Sequence, residues 1–304
     1  MRWNRREVIP SERRLIAERF YMRHIDHIVV AVRELDRAAE LYGRLGFQVG
    51  ARNQHPWGTE NRLIQFGTSF IELIAVGAAE QILPHRPRHF SFGAFVRDYL
   101  GQREGIAMLA LSSTDAEADA VRFAEQGIGD FEPFFFKRRA RRPDSSETQV
   151  AFTLAFAHDP AAPQAGFFVC QQHFPGNFWN TSFQRHRNSA SGIAAVTLAA
   201  SDPARHGDFL TCFSGEGQQA LSDGRLQFAL DGGRIEASLT NEAQRQELPS
   251  ALFTSVTVRV GEIEAVRRLL RAEGIPLTAS GETIVLAPSL LFGVELRFEH
   301  DLQH

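Results

Sequence analysis

Four short apolar runs recur along the chain: HIDHIVVAV from His24, GIAMLALSS from Gly105, GIAAVTLAA from Gly192 and LFTSVTVRV from Leu252. They align without gaps. A repeated unit constrains a fold strongly, because one copy cannot bury its apolar face alone and must pair with another. All four runs are rich in Val, Ile, Leu or Ala, as strands covered on one or both faces are. A stretch of helical period follows each, with an acidic residue in its first turn and a glycine at its end. These are ELDRAAELYGRLGF to Gly46, DAEADAVRFAEQGI to Gly127, DPARHGDFLTCFSG to Gly215 and EIEAVRRLLRAEGI to Gly274. Short strands come next. FIELIAV (70–76), RIEASLT (234–240) and VELRFEH (294–300) align on Glu72, Glu236 and Glu295, and FFVCQQHF (167–174) offers Gln171 in that place. The unit reads strand–helix–three strands, four times over, which predicts an α+β fold of four βαβββ modules rather than a doubly wound sheet.

With 304 residues the chain has room for two domains of two modules each. The polar stretch FQRHRNSASG is the expected junction, giving an N-terminal extension over 1–21, a first domain over 22–188 and a second over 189–304. A net charge of −3 argues against nucleic-acid and membrane partners, and no apolar run reaches spanning length. The N-terminus lacks the apolar core of a signal peptide, and two cysteines cannot build a disulfide framework, so a cytoplasmic location is expected. No phosphate loop, dinucleotide fingerprint or nucleophile elbow is present in the sequence. Phe is abundant, 25 residues against 3 Tyr and 3 Trp, which suits an apolar cavity or simply a Phe-rich core.

The run 24–76 resembles the first module of the vicinal oxygen chelate superfamily, and within it the glyoxalase-like domain proteins. The segment HP-x-GT-x-N at 55–61 is its most specific part. The resemblance implies paired βαβββ modules, two glyoxalase-like domains in all, with sheets curling around a cavity that holds a divalent ion (Zn, Mn, Ni, Co or Fe). Its ligand positions fall on His27 and Glu72 in module one, on Met108 and Gln171 in module two, on Ala195 and Glu236 in module three, and on Ser255 and Glu295 in module four. Only the first pair sets an imidazole beside a carboxylate, so the second domain is expected to be non-catalytic.

Alternation along the strands supports that pair. His27 shares a face with Val29 and Ala31, and Glu72 shares one with Phe70 and Ile74. Titratable groups among apolar neighbours must be paired or coordinated, so a hydrogen-bonded His–Glu pair without metal is the alternative. His24 and Asp26 are expected at the surface or supporting a ligand. A third ligand would come from Gln171 or His173, or from His55 swinging in from its loop. His55 and Glu72 are the candidate acid–base groups; Thr59 and Asn61 would orient substrate; Phe134, Phe136 and Trp179 would wall the cavity, with Phe134 and Phe136 drawn from the aromatic and basic run 131–144. The expected activity is that of a metal-dependent lyase or isomerase on a small substrate chelating through vicinal oxygens. A ligand-sequestering protein of the bleomycin-resistance type and an extradiol dioxygenase are the alternatives. A small molecule is the expected partner, together with a second copy in a homodimer.

Overall fold

The computed structural model describes residues 22–141, 147–240 and 251–301, so the extension 1–21 and the end of the basic run lie outside the described residues. The four modules are present. Module one runs β1 (Ile25–Ala31), α1 (Leu35–Arg44), β2 (Asn53–Gln54), β3 (Thr59–Gln65) and β4 (Phe70–Val76). After a helix α2 (Phe92–Gln102), module two follows with β5 (Gly105–Ser112), α3 (Ala116–Glu125), β6 (Phe134–Arg141), β7 (Glu147–Ala157) and β8 (Gly166–Gln172). A short turn of helix, α4 (Pro175–Phe178), leads toward module three: β9 (Ala190–Ala200), α5 (Gly207–Ser214), β10 (Gln218–Ala220), β11 (Leu226–Leu230) and β12 (Gly233–Leu239). Module four is β13 (Leu252–Val260), α6 (Ile263–Ala272), β14 (Thr278–Ser280), β15 (Thr283–Leu286) and β16 (Glu295–His300). Gly46, Gly127, Gly215 and Gly274 all take the left-handed backbone that ends a helix.

Two eight-stranded sheets result, ordered β2-β3-β4-β1-β5-β8-β7-β6 and β10-β11-β12-β9-β13-β16-β15-β14. Each is symmetric about its central antiparallel pair, β1 with β5 and β9 with β13. In each module the first and last strands pair in parallel. The outer faces of both sheets share one core in which Ile28, Val30 and Leu73 join Val196, Leu198 and Val256, with the helices between. Phe167 on β8 contacts Phe209, Phe213 and Phe253 across that junction. Each such ring or branched chain contributes about 1.5–3 kcal/mol on burial.

The inner face of the first sheet carries a separate cluster that includes Val29, Phe70, Ala110, Phe152 and Phe168. Helix α2, which the repeat pattern does not predict, lies on that face and adds Phe92, Val96, Tyr99 and Leu100. Ser91 starts it by accepting from the Ala94 amide.

The strand register corrects two of the alignments. His27 pairs with Phe70 and Val29 with Glu72. Met108 pairs with Gly166 and Ala110 with Phe168, so Phe168, not Gln171, occupies the place of Glu72 in module two. In module four Ser255 pairs with Glu295 and Thr257 with Arg297, which puts Arg297 in that place rather than Glu295. In module three Ala195 pairs with Arg234 and Thr197 with Glu236, so Glu236 is the true counterpart. An odd slip of register turns a side chain to the opposite face, and Gln171 is such a case.

Candidate active site

Strand β1 departs from simple alternation at its start. The pairing with β5 shifts between Ile25 and His27, and the irregularity leaves Asp26 and His27 in contact and both buried. Bulges of this kind re-aim side chains near functional sites. Asp26, expected at the surface or in support of a ligand, is 2% exposed. Its Oδ1 accepts from His27 Nδ1 at 2.5 Å and its Oδ2 accepts from Gln172 Nε2 at 2.7 Å. A carboxylate only accepts, so the proton of a neutral His27 sits on Nδ1 and Nε2 is left bare. The ring is fixed further by stacking on Phe70, 4.2 Å between centroids, and by the edge of Phe168.

His27 Nε2 faces Glu72 Oε2 at 3.8 Å. That is too long for a hydrogen bond. With metal–donor distances of about 2.0–2.2 Å, it is short enough for one divalent ion between the two atoms. Glu72 is 6% exposed, and its Oε1 accepts from Asn61 Nδ2 at 2.5 Å. Among the described residues no Lys or Arg forms an ion pair with it. A buried carboxylate without a close counter-cation is costly, and the donor set of imidazole and carboxylate suits a first-row divalent ion. His27 and Glu72 therefore fit the metal that the fold implies. Cys170 Sγ lies near Asp26 and His27. Its thiol is pushed well up by burial, then by the charges of Asp26 and Glu72 and a hydrogen bond to Asp26.

The loop 55–61 is set by Gly58, whose left-handed backbone brings it against the Ala78 carbonyl and Ile82, where a Cβ would collide. His55 Nδ1 lies 2.9 Å from Thr59 Oγ1, and Asn61 Nδ2 lies 3.3 Å from His55 Nε2. Asn61 thus spans His55 and Glu72, while its Oδ1 accepts from Asn53 Nδ2 at 2.9 Å. The His55 ring stacks on Trp57 at 4.5 Å. Burial lowers the His55 pKa; the charge of Glu72 opposes this and that of Arg138 adds to it. His55 is therefore neutral at pH 7, with Nε2 aimed at the amide that holds Glu72.

These groups line a cavity of about 50 Å³ whose walls include Phe136, Phe152 and Phe178. It would hold only a few water-sized groups. Of the other expected residues, Phe134 meets the edge of Trp57, and Trp179 backs Phe70. Thr59 is buried behind His55. Gln171 and His173 lie outside this cavity. Gln171 faces α3, where it accepts from the Ala116 amide and donates to the Thr114 carbonyl. His173 is exposed, and its Nε2 meets Thr153 Oγ1 at 2.7 Å.

Cys170, Trp57 and Arg138 are cavity groups to which the sequence reading gave no individual role. Arg138 had an available signal: it continues the alternation that turns Phe134 and Phe136 inward on β6.

Comparison with known proteins agrees with this architecture. No curated protein matches. Among solved structures, a hypothetical protein from Staphylococcus aureus superimposes with a TM-score of 0.65 at 12% identity, covering 92% of this chain and 100% of its own. A mutant 4-hydroxymandelate synthase from Streptomyces coelicolor gives 0.55 at 11% identity, covering 92% of this chain and 93% of that one. A xylose isomerase-like TIM barrel/4-hydroxyphenylpyruvate dioxygenase fusion protein gives 0.54 at 14% identity, covering 95% of this chain and 53% of that one. At these identities the likeness is one of fold. The family model of the glyoxalase-like domain matches residues 25–211, which is more than half of the sequence, and the chain belongs to the glyoxalase-like domain family.

Proposed function

We propose that this protein is a metal-dependent lyase or isomerase of the glyoxalase type, moving a proton on a small substrate that carries two adjacent oxygens. One observation carries the reading: a buried imidazole with its tautomer set by Asp26 faces, at 3.8 Å, a buried carboxylate that forms no ion pair with Lys or Arg among the described residues. His27 and Glu72 would hold the ion. When bound, it supplies Lewis-acid polarisation of a substrate oxygen.

The chain's own residues do the rest. Asp26 holds Nδ1 of His27, so that the neutral ring presents Nε2 to Glu72. Asn61 anchors Glu72 and offers an amide proton to His55 Nε2. His55, held neutral by burial, is the base: once Nε2 leaves Asn61 it can take a proton from the substrate carbon and return it to the neighbouring one. The walls of Trp57, Phe136 and Phe152 keep water from that exchange.

The aromatic lining also favours a second reading, sequestration of an apolar ligand without turnover. Extradiol dioxygenase chemistry is disfavoured because module two offers Met108 and Phe168 at the ligand positions.

Elemental analysis of the purified protein, with an NMR assay of hydrogen exchange from a 2-hydroxy ketone in deuterated buffer, tests the proposal. Stoichiometric metal and exchange that falls roughly 10²–10⁴-fold in His55→Ala, with metal retained, are expected. Metal-free protein that binds aromatic ligands and catalyses no exchange would establish the second reading instead.

A further inference from the structure

The cavity beside His27 is not the whole of the concave face. A larger pocket of about 400 Å³ opens outside it, and both are lined by Leu63, Arg138 and Phe178. The inner space takes only a few atoms, whereas the outer one is within the range of small-molecule sites. Arg138 is the cation at the junction.

Its bonding is incomplete. Its one assigned hydrogen bond runs from Nη1 to Asn53 Oδ1 at 3.4 Å, and it forms no ion pair with a carboxylate among the described residues. The other arginines of the outer pocket are satisfied: Arg52 binds Asp36 and Glu60, and Arg139 lies 3.3 Å from Glu147. A guanidinium is a planar fork of five donors, so an arginine left with one long bond has most of its recognition capacity unused. Two further atoms are open. Trp57 Nε1 in the inner cavity and Oε1 of Gln65, a residue 6% exposed in the outer pocket, are buried and have no hydrogen-bond partner among the described residues. The outer walls add apolar surface from Val150, Phe178 and Phe183.

We infer that Arg138 binds an oxyanion of the substrate, so that the ligand is a small carboxylate or phosphate ester whose reacting oxygens enter the inner cavity while its apolar remainder fills the outer pocket. This rests on the function proposed above and names its substrate class. The anion also explains why an arginine is placed where burial works against its charge. Glu72 alone offsets that burden in the free protein, and a bound oxyanion would do so directly.

The test is calorimetric titration of the chelator-treated protein with benzoate, phenyl phosphate and the uncharged benzamide. At least one anion should bind roughly 10–100-fold more tightly than benzamide, the worth of a hydrogen-bonded charge pair. The tighter of the two anions identifies carboxylate or phosphate. Arg138→Gln should erase the preference. Arg138→Lys, which keeps the charge without the fork, should retain part of it and carries the test if Arg138→Gln does not fold. Benzamide binding as tightly as both anions, or a preference unchanged in either variant, overturns the inference. Because the titration needs neither metal nor turnover, failure of the enzymatic reading leaves its result standing. A protein that holds metal and exchanges hydrogen but shows no anion preference loses this inference alone.

Discussion

Glu72 and Glu236 occupy the same place in two copies of one module, and their neighbours make them different groups. Each sits on the last strand of its module, opposite the residue two beyond the first-strand ligand position, Val29 in one case and Thr197 in the other. Each is almost fully buried, 6% and 5% exposed. Glu236 is closed off by Arg234 at 2.6 Å and Arg225 at 3.0 Å. Arg234 stands where module one has Phe70, and Ala195 stands where it has His27. Glu72 instead has an amide on one oxygen and a bare imidazole nitrogen opposite the other. The fold tolerates both. One carboxylate is closed off by two arginines on the second sheet, and the other faces the cavity of the first.

The comparison breaks most visibly on metal. His27→Ala should abolish stoichiometric metal, measured by elemental analysis, whereas Glu236→Gln should leave it intact; loss from the second variant would place the site in the wrong sheet. A smaller effect belongs to Asp26→Asn, which frees the His27 tautomer and should weaken metal affinity roughly 10–100-fold, read by competition with a chelator. Unchanged affinity would reduce Asp26 to a packing role.

Stability should separate the two carboxylates in opposite directions. Glu236→Gln strands two arginines, and because both keep partial access to water the expected loss is about 1–3 kcal/mol, seen as a lower thermal midpoint. Glu72→Gln in metal-free protein removes a buried charge that forms no ion pair with an arginine among the described residues, and its midpoint should hold or rise. Parallel falls in both variants would erase the distinction drawn here.

Acid should act on the first sheet and on its junction with the second. Burial lowers the pKa of His55 and of His186, the latter against a backbone hydrogen bond to Gln65 that opposes it. The unfolded chain then binds more protons than the folded one, so stability is full above the ordinary histidine pKa near 6.5 and is lost as pH falls below it. His55→Gln and His186→Gln should each flatten that slope in urea titrations at stepped pH. The smallest effect is expected at Glu295, a partly exposed partner of Arg297: Glu295→Ala should shift stability by no more than about 1 kcal/mol and leave metal content unchanged.

The repeat, the α+β class and the pairing of modules are legible in the sequence because strand and helix periods and glycine stops are local properties of a chain. His27 and Glu72 are legible for the same reason, since alternation alone puts each on an apolar face. The other ligand candidates needed the register between strands that are far apart in sequence. Matching FFVCQQHF to the repeat selects Gln171, whereas the β5–β8 pairing selects Phe168, and no property within either strand distinguishes the two.

What the sequence determined by itself is the periodic part: four strand–helix–three-strand units, with a histidine and a glutamate on buried faces of the first. Tertiary structure decided the rest. The irregularity at the start of β1 brought Asp26 to His27, the closure of the sheet brought Arg138 and Cys170 to Glu72, and α2 took part of the inner face. Each depends on chain segments distant in sequence meeting at a fixed distance. Side-chain periodicity reports which way a residue points, and only packing reports what it finds there.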